Sequence, residues 1–171
     1  FKEPRLEFNQ PRWEGQSLEG KTILIHAEQG LGDAIMFARY IPMVVELGGR
    51  VVLECRKPLL RLLERIDGVA ELVVRDEPLP DFDCYIPHNS LPVAFGTTLD
   101  TIPAMVPYLW PPESGQVDPR LSAADGFKVG FVWAGSPTRE ADSLRSCKLD
   151  SFQVLFDVPG ITFYSLQVGE R

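Results

Sequence analysis

The feature that most constrains the fold is residues 22–42, where a short apolar run meets a two-glycine turn and then an apolar segment of helical spacing. Thr22-Ile23-Leu24-Ile25-His26 is short, apolar and β-branched, the pattern of a strand buried in a parallel sheet. Ala27-Glu28-Gln29-Gly30-Leu31-Gly32-Asp33 supplies the turn. Ile35, Met36, Ala38, Tyr40 and Ile41 then fit a helix with a broad buried face. Together they predict the first unit of a doubly wound α/β domain, in which ligands bind just beyond the carboxyl ends of the strands.

The chain beyond this unit repeats the alternation. Gly48-Gly49 stops the helix, residues 50–55 read as a second strand, and Pro58 suits the first turn of the next helix. Leu59, Leu60, Leu62, Leu63 and Ile66 form that helix's apolar stripe, which ends at Asp67-Gly68. A third strand is expected over 69–74, a loop at Pro78-Leu79-Pro80 and a fourth strand over 82–86. Such spacing implies right-handed βαβ crossovers and a parallel sheet. A short helix over 90–95 ends at Gly96, Thr97-Thr98-Leu99-Asp100 reads as a capped turn, and Pro103, Pro107, Pro111 and Pro112 exclude a long helix after it.

Four stretches result: an irregular lead-in over 1–20 that packs Trp13 on the domain, a Rossmann-like domain over 21–107, a linker over 108–126 and a second Rossmann-like beginning over 127–171. In the last, a strand over 128–135 ends on a glycine and a polar loop follows. Leu149, Phe152, Leu155 and Phe156 then share a helix face, and Pro159-Gly160 turns the chain into a strand over 161–166. The expected fold is therefore α/β, a parallel sheet with flanking helices plus the start of a second such unit.

A net charge of -7 argues against nucleic acid as a partner, because phosphate neutralisation needs clustered Lys and Arg. No apolar run approaches the roughly 20 residues that span a bilayer. A chain that begins with Phe1 is expected to be part of a longer protein. Cys55, Cys84 and Cys147 show neither a disulfide framework nor zinc-ligand spacing, which favours a reducing, cytoplasmic setting.

The candidate chemistry gathers after the first strand. Gly30 and Gly32 let the backbone turn tightly and approach a ligand, and the helix end beyond them offers unpaired N–H groups. Ile35 stands where a dinucleotide fingerprint has its third glycine, although Glu54 falls near the place of a ribose-binding acid. Asp33 reads as a helix N-cap and, compatibly, as a general base that takes a proton from an attacking hydroxyl. His26 and His88, each ending a strand, are expected to face one cleft, with Glu28 and Gln29 as further polar lining. Either histidine is also explained as a hydrogen-bonded structural residue. In the second unit Ser136, Thr138, Arg139, Arg145, Ser146 and Lys148 concentrate hydroxyls and cations that suit a nucleotide diphosphate or, equally, solvent. Asp142 is expected to pair locally with an arginine, and Phe131 and Trp133 to be core. No metal-ligand cluster is evident.

His26-Ala27-Glu28-Gln29-Gly30-Leu31-Gly32-Asp33, Gly96-Thr97-Thr98-Leu99-Asp100-Thr101-Ile102-Pro103 and Val129-Gly130-Phe131-Val132-Trp133-Ala134-Gly135-Ser136-Pro137 resemble the heptosyltransferase-like proteins of glycosyltransferase family nine, often found carboxyl-terminal to tetratricopeptide repeats. The resemblance runs from about Pro11 to the chain end. It implies a GT-B architecture whose amino-terminal domain takes a saccharide, lipid-linked or protein acceptor and whose carboxyl-terminal domain holds a nucleotide-diphosphate sugar, without a cofactor. By position it makes Asp33 the general base, Gly30 to Gly32 cleft lining, and Ser136, Arg145 and Ser146 donor-phosphate contacts, with Arg139 beside them. Relatives often carry a His and an Asn-Asp pair where this chain has Thr138-Arg139-Glu140-Ala141-Asp142, and the resemblance leads one to expect most of the donor domain beyond Arg171. The rival expectations are a non-catalytic GT-B-like binding or scaffold module and a nucleotide-binding oxidoreductase domain, the latter disfavoured by Ile35.

Overall fold

The structure is a computed structural model that describes residues 8–28, 30–111, 118–123, 125–135 and 142–168. The chain divides into two compact units, Phe1–Gly115 and Gln116–Arg171.

The first unit is built on a four-stranded sheet of β1 (Thr22–His26), β2 (Arg50–Cys55), β3 (Val69–Val74) and β4 (Cys84–Pro87), in the order β3-β2-β1-β4. Every pairing is parallel. Ile23 stands opposite Val51 on one side and Cys84 on the other, and Ile25 likewise opposite Leu53 and Ile86. The chain adds strands outward from β1 to β3, then returns to pair β4 with the free edge of β1. The strand order therefore reverses between β1 and β4, the place where open α/β sheets leave a crevice.

Side chains alternate across the sheet. Ile23, Ile25, Val51 and Leu53 point into the main core, with Tyr40, Ile41, Val44 and Leu91 from the helical segments. Leu24, Val52 and Val73 form a smaller cluster on the other face, where Phe8, Leu79, Phe82 and Tyr85 pack. The helices thus cover one face, and the described residues that cover the other are not helical. Pro78 and Pro80 lie in the β3-to-β4 crossover, where they deny a helix its N–H donors. Trp13 is buried as expected, its Nε1 donating to Gln16 O at 2.7 Å and its ring meeting Phe95 edge-on. Pro11 and Trp13 also bond to Tyr85, so the lead-in is pinned to the outer edge of β4.

Several helices are shorter than their apolar spacing suggests. The first breaks into α1 (Leu31–Phe37), a 3-10 turn at Ala38–Tyr40 and α2 (Ile41–Glu46), with Pro42 opening the last piece. The tighter turn re-aims the apolar face, and Met36, expected inside, is 47% exposed. The second is a 3-10 turn at Lys57–Leu59 followed by α3 (Leu60–Leu63). Ile66 is buried beyond the helix, and Gly68 at φ +84° swings the chain into β3. After β4 a 3-10 turn, His88–Ser90, leads into α4 (Leu91–Ala94). The expected linker starts too early, because Tyr108 and Leu109 pack on the first unit's core. Arg39 and Arg65 hold that stretch by donating to Pro103 O and Pro111 O.

In the second unit α5 (Pro119–Ala123) lies inside the expected linker. Asp118 caps it by accepting the Arg120 N–H at 2.9 Å, and Pro119 opens it, an Asp-Pro start signal. β5 (Phe127–Phe131) and β6 (Ile161–Ser165) pair in parallel, with the 3-10 turns Asp142–Leu144 and Leu149–Phe152 and α6 (Gln153–Phe156) between them. Phe131 centres an aromatic group with Trp133, Phe152, Phe156 and Phe163. The strand expected to reach Gly135 stops at Phe131. Beyond it Gln167 Oε1 accepts the N–H groups of Trp133 and Ala134 at 3.3 and 3.0 Å, in place of a strand.

Gly68 gives a clean test of this packing. A Cβ there would lie 2.5 Å from Val45 Cγ1, in a left-handed backbone, whereas Gly20 at φ +70° has nothing within 4 Å. Gly68→Ala should therefore cost about 2–4 kcal/mol in urea denaturation and Gly20→Ala about 1–2 kcal/mol. Equal losses would contradict the close contact of α2 with the start of β3.

Candidate functional site

The carboxyl ends of β1 and β4 bring the candidate residues together. Asp33 is at the third position of α1, and Gly30 is its N-cap. Asp33 Oδ2 accepts the Gly30 N–H at 2.9 Å, and the Ala34 N–H bonded to Gly30 O at 3.2 Å opens the helix. Asp33 is therefore not the N-cap expected from sequence. It is the acidic arm of half a capping box, since glycine has no side chain to complete the exchange. Its Oδ1 has no hydrogen-bond partner among the described residues, and the side chain is half-buried at the sheet's edge. Gly30 has φ -71°, which any residue can adopt, and Gly32 lies in the helix with nothing near its missing Cβ. The glycines thus keep the surface open rather than providing a left-handed turn.

The two histidines part company. His26 follows the alternation of β1 onto the face of Leu24. There it is 1% exposed, edge-on to Phe8 at 5.4 Å and tilted against Tyr85 at 5.7 Å. It does not share a cleft with His88, and neither of its ring nitrogens has a partner among the described residues. Burial lowers its pKa to about 4, helped by the positive neighbours His88, Arg75 and Arg12. His88 begins the 3-10 turn after β4 and packs edge-on against Phe37 of α1 at 5.6 Å. Its Nδ1 lies 3.0 Å from His26 O and 3.4 Å from the Glu28 N, spanning the point where the strand order reverses. Burial lowers the His88 pKa, opposed by the His26 carbonyl and by the Asp33 and Glu28 carboxylates.

A small cavity with room for about one water is lined by Ala27, Ala34, Phe37, Leu53, Glu54 and His88, among others. Glu54 is 3% exposed and its Oε2 has no partner among the described residues. Burial raises its pKa, with Asp76 adding to the rise and Arg75 and Arg56 opposing it. A carboxyl enclosed in this way does not reach out to a ribose, which weakens the dinucleotide reading further.

Glu28 is half-buried beside His88, and Gln29 lies outside the described residues. Arg12 and Ser90, which no motif in the sequence marks, also lie at this edge. Arg12 Nη2 donates to Ser90 Oγ at 2.7 Å, which sets a guanidinium beside the turn that packs on α1. The two residues are 78 positions apart, and only the pairing of the lead-in with β4 joins them.

In the second unit Ser136, Thr138 and Arg139 lie outside the described residues. Ser146 Oγ accepts the Gly135 N–H at 2.9 Å and donates to Asp142 Oδ1 at 2.6 Å, so its hydroxyl is engaged in holding the loop. Arg145 is exposed, its N–H bonded to Asp142 O at 2.9 Å, and Lys148 is exposed as well. Among the described residues no group of three or more His, Cys, Asp or Glu could hold a metal ion, and no helix is long and apolar enough to cross a membrane.

No family model matches the chain, and no solved structure matches it. It is similar to protein FlbA of Caulobacter vibrioides, with 27% identity over 188 aligned positions that cover 98% of this chain and 32% of that protein. The chain thus spans about a third of that relative's length.

Two buried titratable groups, His26 and Glu54, make stability depend on pH. His26 binds its proton more weakly folded, at about 4, than at its ordinary 6.5. Stability present above pH 6.5 is therefore lost as pH falls towards 4, by up to about 3 kcal/mol. Glu54 acts in the opposite sense, because its raised pKa loses stability as pH rises through it. Urea denaturation between pH 4 and 8 should show His26→Phe flattening the acid side and Glu54→Gln gaining stability at pH 7. An unchanged acid slope in His26→Phe would contradict the burial of that ring.

Proposed function

We propose that the chain contains the acceptor-side domain, and the beginning of the donor-side domain, of an inverting GT-B glycosyltransferase of the heptosyltransferase-like kind. The reading rests on the three-motif resemblance, and one observation carries it into chemistry. Asp33 has one oxygen fixed by the Gly30 N–H and the other without a partner among the described residues, at the edge of a parallel sheet beside the reversal of strand order. A fixed carboxylate with one free oxygen can take a proton from a hydroxyl bound over the crevice. In the proposed reaction Asp33 Oδ1 receives the acceptor's proton as that hydroxyl oxygen bonds to the anomeric carbon. The bond from that carbon to the nucleotide diphosphate breaks on the opposite face and the configuration inverts. Ser136, Arg139 and Arg145 would offset charge on the departing diphosphate. Arg12 offers a further cation on the acceptor side.

A non-catalytic binding module is the second reading, and the commitment of both Asp33 Oδ2 and Ser146 Oγ to local structure favours it. Release of nucleoside diphosphate from ADP-, UDP-, GDP- and dTDP-sugars separates the two. The chain is assayed with whatever flanking sequence its gene encodes, as wild type and Asp33→Asn. Asn can still accept the Gly30 N–H, so the helix start survives the change. The transferase reading expects release with one donor and a loss of at least about 100-fold in Asp33→Asn. Undiminished turnover in the variant removes Asp33 as base. No release with any donor, and no donor-dependent thermal shift, favours the binding module.

A further inference from the structure

We propose that His88 is the positioning residue for the candidate base: as its Nδ1–H tautomer it locks the exit of β1, and hence the Asp33 turn, to the exit of β4. Its consequence for catalysis rests on the transferase reading above; the clamp itself does not.

Pro87 stands opposite His26 in the last rung of the β1–β4 pairing, and His88 is the first residue after β4. His88 Nδ1 is 3.0 Å from His26 O, a full hydrogen bond if that nitrogen carries a proton. The same nitrogen is 3.4 Å from Glu28 N, a contact that would require it to be bare. One nitrogen cannot do both, and the shorter contact assigns the proton to Nδ1. Nε2, buried and without a partner among the described residues, is then the bare acceptor on a ring that borders the small cavity.

The ring touches three elements at once. Nδ1 meets the last carbonyl of β1, the histidine itself opens the turn after β4, and its edge packs on Phe37 of α1. Asp33 is one turn of the same helix before Phe37. Losing the clamp frees the β1 exit from β4 while leaving the apolar core intact. The effect should therefore appear first at the Glu28 and Gly30 amides and in the placement of Asp33. Burial keeps the ring neutral at pH 7, so only one of its nitrogens carries a proton there.

Long-range nitrogen–proton NMR correlation on the wild-type chain at pH 7 reads the tautomer without any sugar present. The expected result is a protonated Nδ1 and a bare Nε2; a protonated Nε2 overturns the proposal. Two variants then test the role. His88→Asn keeps an amide donor near the Nδ1 position, and His88→Leu removes it. Amide exchange at Glu28 and Gly30 should stay at the wild-type rate in His88→Asn and rise at least tenfold in His88→Leu. Turnover, where a donor is found, should follow the same order with Asn rescuing. Wild-type exchange in His88→Leu overturns the clamp. If that variant does not fold, the wild-type tautomer still decides. A confirmed clamp with no turnover on any donor would sink the transferase reading alone.

Discussion

The arrangement depends on β1 being paired along both edges and buried on both faces. Ile23, Leu24 and Ile25 are fully enclosed, with β2 on one side and β4 on the other. A strand held in this way gives the turn that follows it a fixed origin. Because β2 and β3 are added on one side and β4 on the other, the connections that leave β1 and β4 diverge and open a crevice. Glu28, Asp33, His88 and Ser90 gather there for that reason, joined by Arg12 from a lead-in that pairs with β4.

How far the sequence reveals this varies with the physics of each element. β2 and β3 are legible to the residue, since each is a Val-rich run preceded by glycines that pack against fixed neighbours. The helices are less so, because Pro42 and Pro92 each open a new short piece after a 3-10 turn and Pro58 lies within one. Apolar spacing at 3.6 residues then overestimates both length and burial. α5 was readable from Asp118-Pro119 but was obscured by the prolines around it. The helix-poor second face follows from prolines in a crossover that alternation alone would have made helical.

The site divides in the same way. The place of Asp33 is set by local sequence, a glycine N-cap three residues before an acid, although its role as N3 rather than N-cap depends on where the helix starts. The histidines could not be sorted without knowing where β1 ends. A strand directs His26 to the Phe8 face, while the turn after β4 directs His88 to α1. Arg12 and Ser90 were beyond any local reading, since a non-local strand pairing joins them. In the second unit the Ser146 hydroxyl, a donor-phosphate contact by the resemblance, bonds to the Gly135 N–H and to Asp142 Oδ1.

Asp33 Oδ2 holds the start of the helix, and on the proposed reading Oδ1, without a partner among the described residues, takes the acceptor's proton. The most direct measurement is a crystal structure with a nucleoside diphosphate and a saccharide acceptor bound. The account predicts an acceptor hydroxyl about 2.6–3.2 Å from Asp33 Oδ1, with Oδ2 still on the Gly30 N–H. A saccharide bound away from this edge, with both Asp33 oxygens taken by backbone N–H groups, would contradict it.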